Sequence, residues 1–303
     1  MIAAPDPHCS VRRSLAQKDS MIRQIAAILA LLLLQGCSAI KLGYQQLPTL
    51  SYWWLDSAIS FNDPQDDRVK EALGNVHRWH RSQELATYTD LLQRTIELGP
   101  SDLQASQVCS TWAEVQAKID RSMRVVIAQA VPVAQLLGPR QLSHLARHQE
   151  RKNEDWDEQW LQGSAADRLE RRLDKTLDRY RSFYGELNTA QVALVKTQVG
   201  QSVWSPEWGR HDRLRREQDL LSTLRRVSGS DMPADQAEAE LWGVWQRWFM
   251  PPDEAGRTLV KKMTLQACDN LAQLHNTTSP EQRLRAARVL RNYVRDIRDL
   301  TKP

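Results

Sequence analysis

Residues 278–300 read "TSPEQRLRAARVLRNYVRDIRDL", and the reading of this stretch decides the fold. Leu284, Ala287, Leu290, Val294, Ile297 and Leu300 recur every three or four residues, which places them on one side of a helix. Arg285, Arg288, Arg291, Arg295 and Arg298 populate much of the remaining surface, with Asp296 and Asp299 as partial partners. The helix has a written start. Ser279 can accept from the backbone N–H three residues on, while the side chain of Gln282 reaches back to the N–H of Ser279, a capping box.

The same start recurs upstream, at Asn62 to Gln65, Gly138 to Gln141 and Asn188 to Gln191. Gly138 has no side chain to cap with, so that copy is weaker. Two copies add a hydrophobic staple, Leu137 to Leu142 and Leu187 to Val192. Between the starts the chain is rich in Leu, Ala, Arg, Gln and Glu, all good helix formers, and glycine is scarce at 12 of 303 residues. Breaks are expected at Gly99-Pro100, Pro132, Gly138-Pro139, Gly163-Ser164, Ser205-Pro206, Ser228-Gly229-Ser230, Pro251-Pro252 and Thr278-Ser279-Pro280. The fold class this implies is all-α, a multi-helix bundle or curved helical array.

The amino-terminal end has a different character. Ile25 to Leu34 is an apolar run too short to cross a bilayer, which takes about 20 residues, but of the length of a signal-peptide core, with Arg23 in front. Met21 is a plausible start, and residues 1–20 are either a long leading region or lie before the true start. The run ends in Leu34-Gln35-Gly36-Cys37, which resembles the lipobox of bacterial lipoproteins. The resemblance implies cleavage between Gly36 and Cys37 and acylation of Cys37, the side chain with the strongest nucleophile. Several acyl chains make such an anchor stable where one is reversible. Ser38 follows the cysteine, which by the same resemblance favours the periplasmic face of the outer membrane. We therefore read residues 1–36 as signal peptide, 37–60 as a lipidated aromatic segment, and 61–303 as a helical periplasmic domain.

Composition limits the function. Lys plus Arg outnumber Asp plus Glu by 41 to 37, and the first 36 residues hold four of those cations and two of the anions. A nearly neutral exported body is not expected to bind nucleic acid. With Cys9 and Cys37 set aside, Cys109 and Cys268 remain, either as two free buried thiols or as a disulfide in an oxidising compartment. A bond would close a loop spanning 159 positions, worth roughly 5 kcal/mol as an upper figure.

After the anchor comes "KLGYQQLPTLSYWWLDSAISFNDPQ", residues 41–65. Tyr44, Leu47-Pro48, Trp53-Trp54, Asp56, Phe61 and Gln65 in this order resemble the opening of a family of uncharacterised helical bacterial lipoproteins, domain of unknown function 6279. That family brings no catalytic residues to carry over. The helix starts also resemble, more weakly, the Leu-Thr-x-x-Gln signature of small periplasmic chaperones, which implies a chaperone-like role. Leu50, Trp53, Trp54, Ala58 and Phe61 form one broad apolar stripe, and Asp56 lies off it, facing water or a basic partner. With no Lys or Arg between Lys41 and Arg68 to seek anionic lipid, the segment reads as a helix docked on the protein's own core rather than one lying among headgroups.

Motifs that would carry chemistry are weak. His144 and His148 share a helix face but lack the glutamate of a His-Glu-x-x-His motif, and His77 with His80 are no better placed. Glu154, Asp155, Asp157 and Glu158 lack the central glycine of a calcium loop. There is no Gly-x-Ser-x-Gly and no glycine-rich phosphate loop. Trp242, Trp245 and Trp248 share a face and suit a core or a groove lining.

The expectation is thus a non-enzymatic envelope protein without catalytic residues, metal or cofactor. It would bind outer-membrane lipid through Cys37 and a periplasmic or envelope client through Trp53, Trp54, Asp56, Arg288, Arg291 and Arg295. The alternatives are an envelope hydrolase with an acidic or zinc site, and a lipid-binding module with a deep apolar pocket.

Overall fold

A computed structural model describes residues 39–302. Residues 1–36, read above as a signal peptide, and Cys37 lie outside the described residues. The secondary structure described is entirely helical, so the all-α reading stands. A short helix, α1 (Ala39–Gln45), precedes the body, which runs from Gln46 onward.

The body begins with α2 (Leu47–Ile59), α3 (Asp63–Trp79) and α4 (Tyr88–Leu98), followed by the long α5 (Ala105–Ala134) and α6 (Pro139–Trp160). Then come α7 (Ala165–Tyr184), α8 (Thr189–Gly200), α9 (Pro206–Val227), α10 (Ala234–Phe249), α11 (Glu254–Asn276) and α12 (Pro280–Thr301). Most helices start where proline, which lacks an N–H, or a Ser, Asn or Asp cap relieves the unsatisfied first turn. Pro132 does not break α5 as expected, because it sits in the last turn and the helix ends two residues later.

Two corners organise the body. In the first, α2 and α3 meet α5 and α6; in the second, α7 and α8 meet α11 and α12. Helices α9 and α10 form a hairpin that closes the first corner against α5 and α6. A disulfide joins Cys109 on α5 to Cys268 on α11, with 5.4 Å between Cα atoms, and so ties the corners together.

Each corner is held by two of the glutamine boxes. Gln65 and Gln141 face each other: Gln65 Nε2 donates to Gln141 Oε1 at 3.1 Å, and Gln141 Nε2 donates to Gln65 Oε1 at 2.6 Å. Each amide nitrogen also donates to a carbonyl two residues before the opposite cap, Leu136 and Ser60. Each amide oxygen also accepts its own cap N–H, from Asn62 and Gly138. Gln191 and Gln282 repeat the arrangement, with Thr277 and Glu186 as the outer carbonyls and Asn188 and Ser279 as the caps. In both clasps the donors and acceptors of two amides are filled, which makes burial of Gln65 and Gln191 tolerable.

Between α3 and α4 the helix passes through a π turn (His80–Glu84) and a 3₁₀ turn (Leu85–Thr87). No Gly or Pro signals this break. Its centre is Glu84, fully buried, with Arg121 Nε 3.0 Å from the carboxylate. Thr87 Oγ1 donates to the Glu84 carbonyl and accepts from Lys118.

Candidate functional site

The first corner is not filled. A cavity of about 470 Å³ opens within it, in the range of roughly 300–1,000 Å³ typical of small-ligand sites. Its walls come from α2, α3, α5, α9 and α10, with Leu145 of α6 at the edge. The lining is aliphatic and aromatic, and Gln129 is its one amide side chain. Asn75 Nδ2 donates to the Gln129 side-chain oxygen at 2.9 Å, which ties α3 to α5 beside the cavity.

The space exists because the facing helices carry small residues where they would otherwise fill it. Ala58, Ala72, Ala130 and Ala134 all line the cavity. A close-packed interior would need larger side chains there. The far wall is stiffened by charge. Arg216 lies over the ring of Trp248 at 5.0 Å and pairs with buried Asp212, which also takes Arg215. Arg247 holds Asp219 through two contacts of 2.9 Å, and that hydrogen bond raises the Arg247 pKa above its ordinary value. Arg124 lies 3.9 Å over Trp242, and Trp245 donates its N–H to Asp120.

Of the lining residues only Trp54 is exposed, at 67%. It marks the rim. The clasp of Gln65 and Gln141 closes the opposite boundary of α2, since Phe61 and Leu137, which flank it, both line the cavity.

The model of a family of unknown function, DUF6279, matches residues 57–237. The chain belongs to DUF6279. The span matched to DUF6279 contains the whole first clasp and, of the second, Gln191 but not Gln282. It contains the α3, α5 and α9 walls of the cavity, but stops before Leu241, Val244, Trp245 and Trp248. No curated protein and no solved structure matches this DUF6279 chain.

The residues singled out from the sequence of this DUF6279 protein separate into distinct places. Trp245 and Trp248 line the cavity, as their shared face suggested. The stripe on α2 divides: Ala58 is buried, while Leu47, Leu50, Trp53 and Trp54 are between 47% and 67% exposed. The helix itself docks on the body, as the segment's reading expected, but through Ala58 and its neighbours, while Trp53 and Trp54 of the apolar stripe face outward. Residues 47, 50, 53 and 54 lie on one arc of the helix, and Ala58, Leu55 and Ile59 occupy the arc beside it that meets the body. Asp56 serves the fold, accepting the N–H of Phe61 at 2.9 Å where the chain turns at Ser60 with φ 61°.

His144 Nε2 lies 3.2 Å from the Ser57 carbonyl and so donates to it, joining α6 to α2. Burial, then nearby Arg151 and Lys152, lower the His148 pKa. Among the described residues no group of three or more His, Cys, Asp or Glu could hold a metal ion. Among them, too, no helix is long and apolar enough to cross a membrane.

On α12, Arg288, Arg291 and Arg295 are exposed and form no ion pair among the described residues. Asp296 is not their partner as expected. It is buried on the inner side at 2% exposure, and its Oδ1 has no hydrogen bond. Leu284, expected on the apolar side, is 59% exposed.

The second corner contains a buried polar pair that the sequence did not announce. Tyr184 Oη lies 3.0 Å from His275 Nδ1, and His275 Nε2 lies 3.0 Å from the Ser101 carbonyl. A carbonyl only accepts, so Nε2 carries the proton and Nδ1 accepts from the tyrosine. Burial holds the His275 imidazole below its ordinary pKa and pushes the Tyr184 hydroxyl up to about 12.

Proposed function

We propose that the protein is a non-enzymatic lipoprotein of the bacterial envelope, anchored through Cys37 at the periplasmic face of the outer membrane, whose helical body binds the acyl chain of a lipid. The cavity carries this reading. The lipobox resemblance supports the anchor.

An acyl chain suits the cavity better than a protein client does. A polypeptide entering it would bring backbone N–H and C=O groups into walls made of helices, whose own backbone groups are already paired, and each unmatched group costs about 1–3 kcal/mol. A hydrocarbon brings none. Each methylene it buries contributes about 0.8 kcal/mol, and Trp54 at the rim provides an amphipathic ring at the boundary with water. The glutamine boxes, which suggested a chaperone-like client surface, use their amides on one another.

The test is binding of cis-parinaric acid, a fluorescent fatty acid, followed by energy transfer from the cavity tryptophans. Saturable one-to-one binding is expected, with affinity reduced at least tenfold in Ala130→Trp, whose ring would occupy the cavity. Val126→Phe provides a second, milder filling variant. The reading is lost if the wild-type protein shows no saturable binding, or if both filled variants bind as tightly as it does.

A further inference from the structure

The exposed arc of α2 has no partner in the body, yet it is held rigidly outward. Tyr52 Oη donates to Asp66 at 2.6 Å, and Lys70 lies 4.6 Å over the Tyr52 ring, fixing α2 on α3. The His144 contact with the Ser57 carbonyl fixes its other end on α6. Ala58 is buried beneath it. With these three attachments in place, Leu47, Leu50, Trp53 and Trp54 cannot rotate inward without breaking the helix from its neighbours. The arc also contains Trp54, the rim of the cavity, so the outward face and the acyl site share a residue.

We propose that this arc is a membrane-docking face: α2 seats its Leu and Trp side chains among the lipids of the bilayer, and the Trp54 rim then opens the cavity to acyl chains. This rests on the proposed lipid-binding function and on its anchor. The partner follows from chain length and charge. Leu47 is ten residues after Cys37, a reach of at most about 35 Å even if fully extended, so an acylated Cys37 keeps α2 beside the bilayer. The absence of Lys and Arg between residues 41 and 68, which from the sequence favoured docking on the core, leaves anionic headgroups no role. The outward exposure of Leu47, Leu50, Trp53 and Trp54 makes the contact hydrophobic and interfacial, with Trp at the depth where amphipathic rings settle. A lipid reaching the cavity from such a surface would not cross water.

The experiment uses the processed chain, residues 37–303, with Cys37→Ser so that no acyl anchor contributes. cis-Parinaric acid is delivered either from aqueous solution or from vesicles of phosphatidylcholine alone. Leu50→Ser/Trp53→Ser, which alters the arc but no cavity-lining residue, is expected to bind the free fatty acid as the wild type does. Its uptake from vesicles is expected to slow at least tenfold. Vesicles of brominated phosphatidylcholine should quench part of the wild-type tryptophan emission, and the double variant should lose that quenching.

Failure of the wild type to bind the fatty acid from solution would sink the acyl-site reading itself. Normal binding from solution with equal vesicle uptake by wild type and variant would overturn only the docking face. So would vesicle uptake that requires anionic lipid and disappears in Arg288→Glu/Arg291→Glu, which would move the contact to α12.

Discussion

The two clasped corners use the same device to opposite ends. Gln65 with Gln141, and Gln191 with Gln282, form matching sets of amide contacts. Around the second clasp the interior is filled by Leu177, Tyr184, Val195, Val199 and Leu274, with Tyr180 and Phe183 packed against them. Around the first, alanines leave a cavity of about 470 Å³. The clasp therefore fixes how helix pairs meet at their ends, while side-chain volume farther along the helices determines whether the space between them is solid or hollow.

Cavity formation should be the sharpest way to separate the corners. Leu274→Ala, at a fully buried site in the solid corner, is expected to lower stability by about 4 kcal/mol. Leu241→Ala, whose side chain already borders the cavity, should cost only about 2 kcal/mol because fewer packed contacts are lost. Equal losses in urea unfolding would contradict a hollow first corner.

Breaking a clasp should cost less than losing Leu274, and should distinguish the corners by ligand rather than by stability. Gln65→Leu and Gln191→Leu each strand an opposing amide, a cap N–H and a carbonyl, for about 3 kcal/mol. Only Gln65→Leu is expected to weaken fatty-acid binding, since Phe61 and Leu137 depend on that corner. Parallel losses of affinity in both variants would mean that the corners are not independent.

The smallest effect is one of pH. Burial lowers the pKa of His275 in the second corner, and desolvation also lowers those of His80 and His148. A histidine with a depressed folded pKa takes up its proton in the unfolded chain first. Stability should thus be level above about pH 6.5 and fall below it, as the unfolded chain takes up the proton that buried His275 resists. Replacing it, as His275→Gln, should flatten that part of the profile. The carboxylates of Asp167 and Glu281, held low mainly by helix-start backbone N–H groups, lose their contribution only at more acidic pH, so the two ranges are separable in urea unfolding.

What could be read from the chain was local. Caps and prolines announce most helix starts because their partners lie within three or four residues. The pairing of the boxes was hidden, since nothing near Gln65 indicates that its partner is Gln141. The cavity was hidden for a related reason: Ala72, Ala130 and Ala134 look like ordinary helix formers until their helices face one another. The π turn at His80–Glu84 carries no glycine or proline, and the contact of its buried Glu84 with Arg121 is tertiary. On α2 the periodicity gave the stripe but not which part of it would face outward, because Trp53 and Ala58 are equally apolar to a pattern.

The disulfide changes what counts as the backbone of this molecule. Between Cys109 and Cys268 run α6 to α10, so the chain there is a closed ring rather than a line. The exposed links at Gly163-Ser164 and Gly229-Ser230 both lie within the ring. A protease cutting either one would open the circle without dividing the protein, and both ends would stay joined until a reductant arrived. A cut at Ser101-Asp102, outside the ring, would sever the only covalent link of α2, α3 and α4 to the rest of the described chain, and with it that of two walls of the cavity.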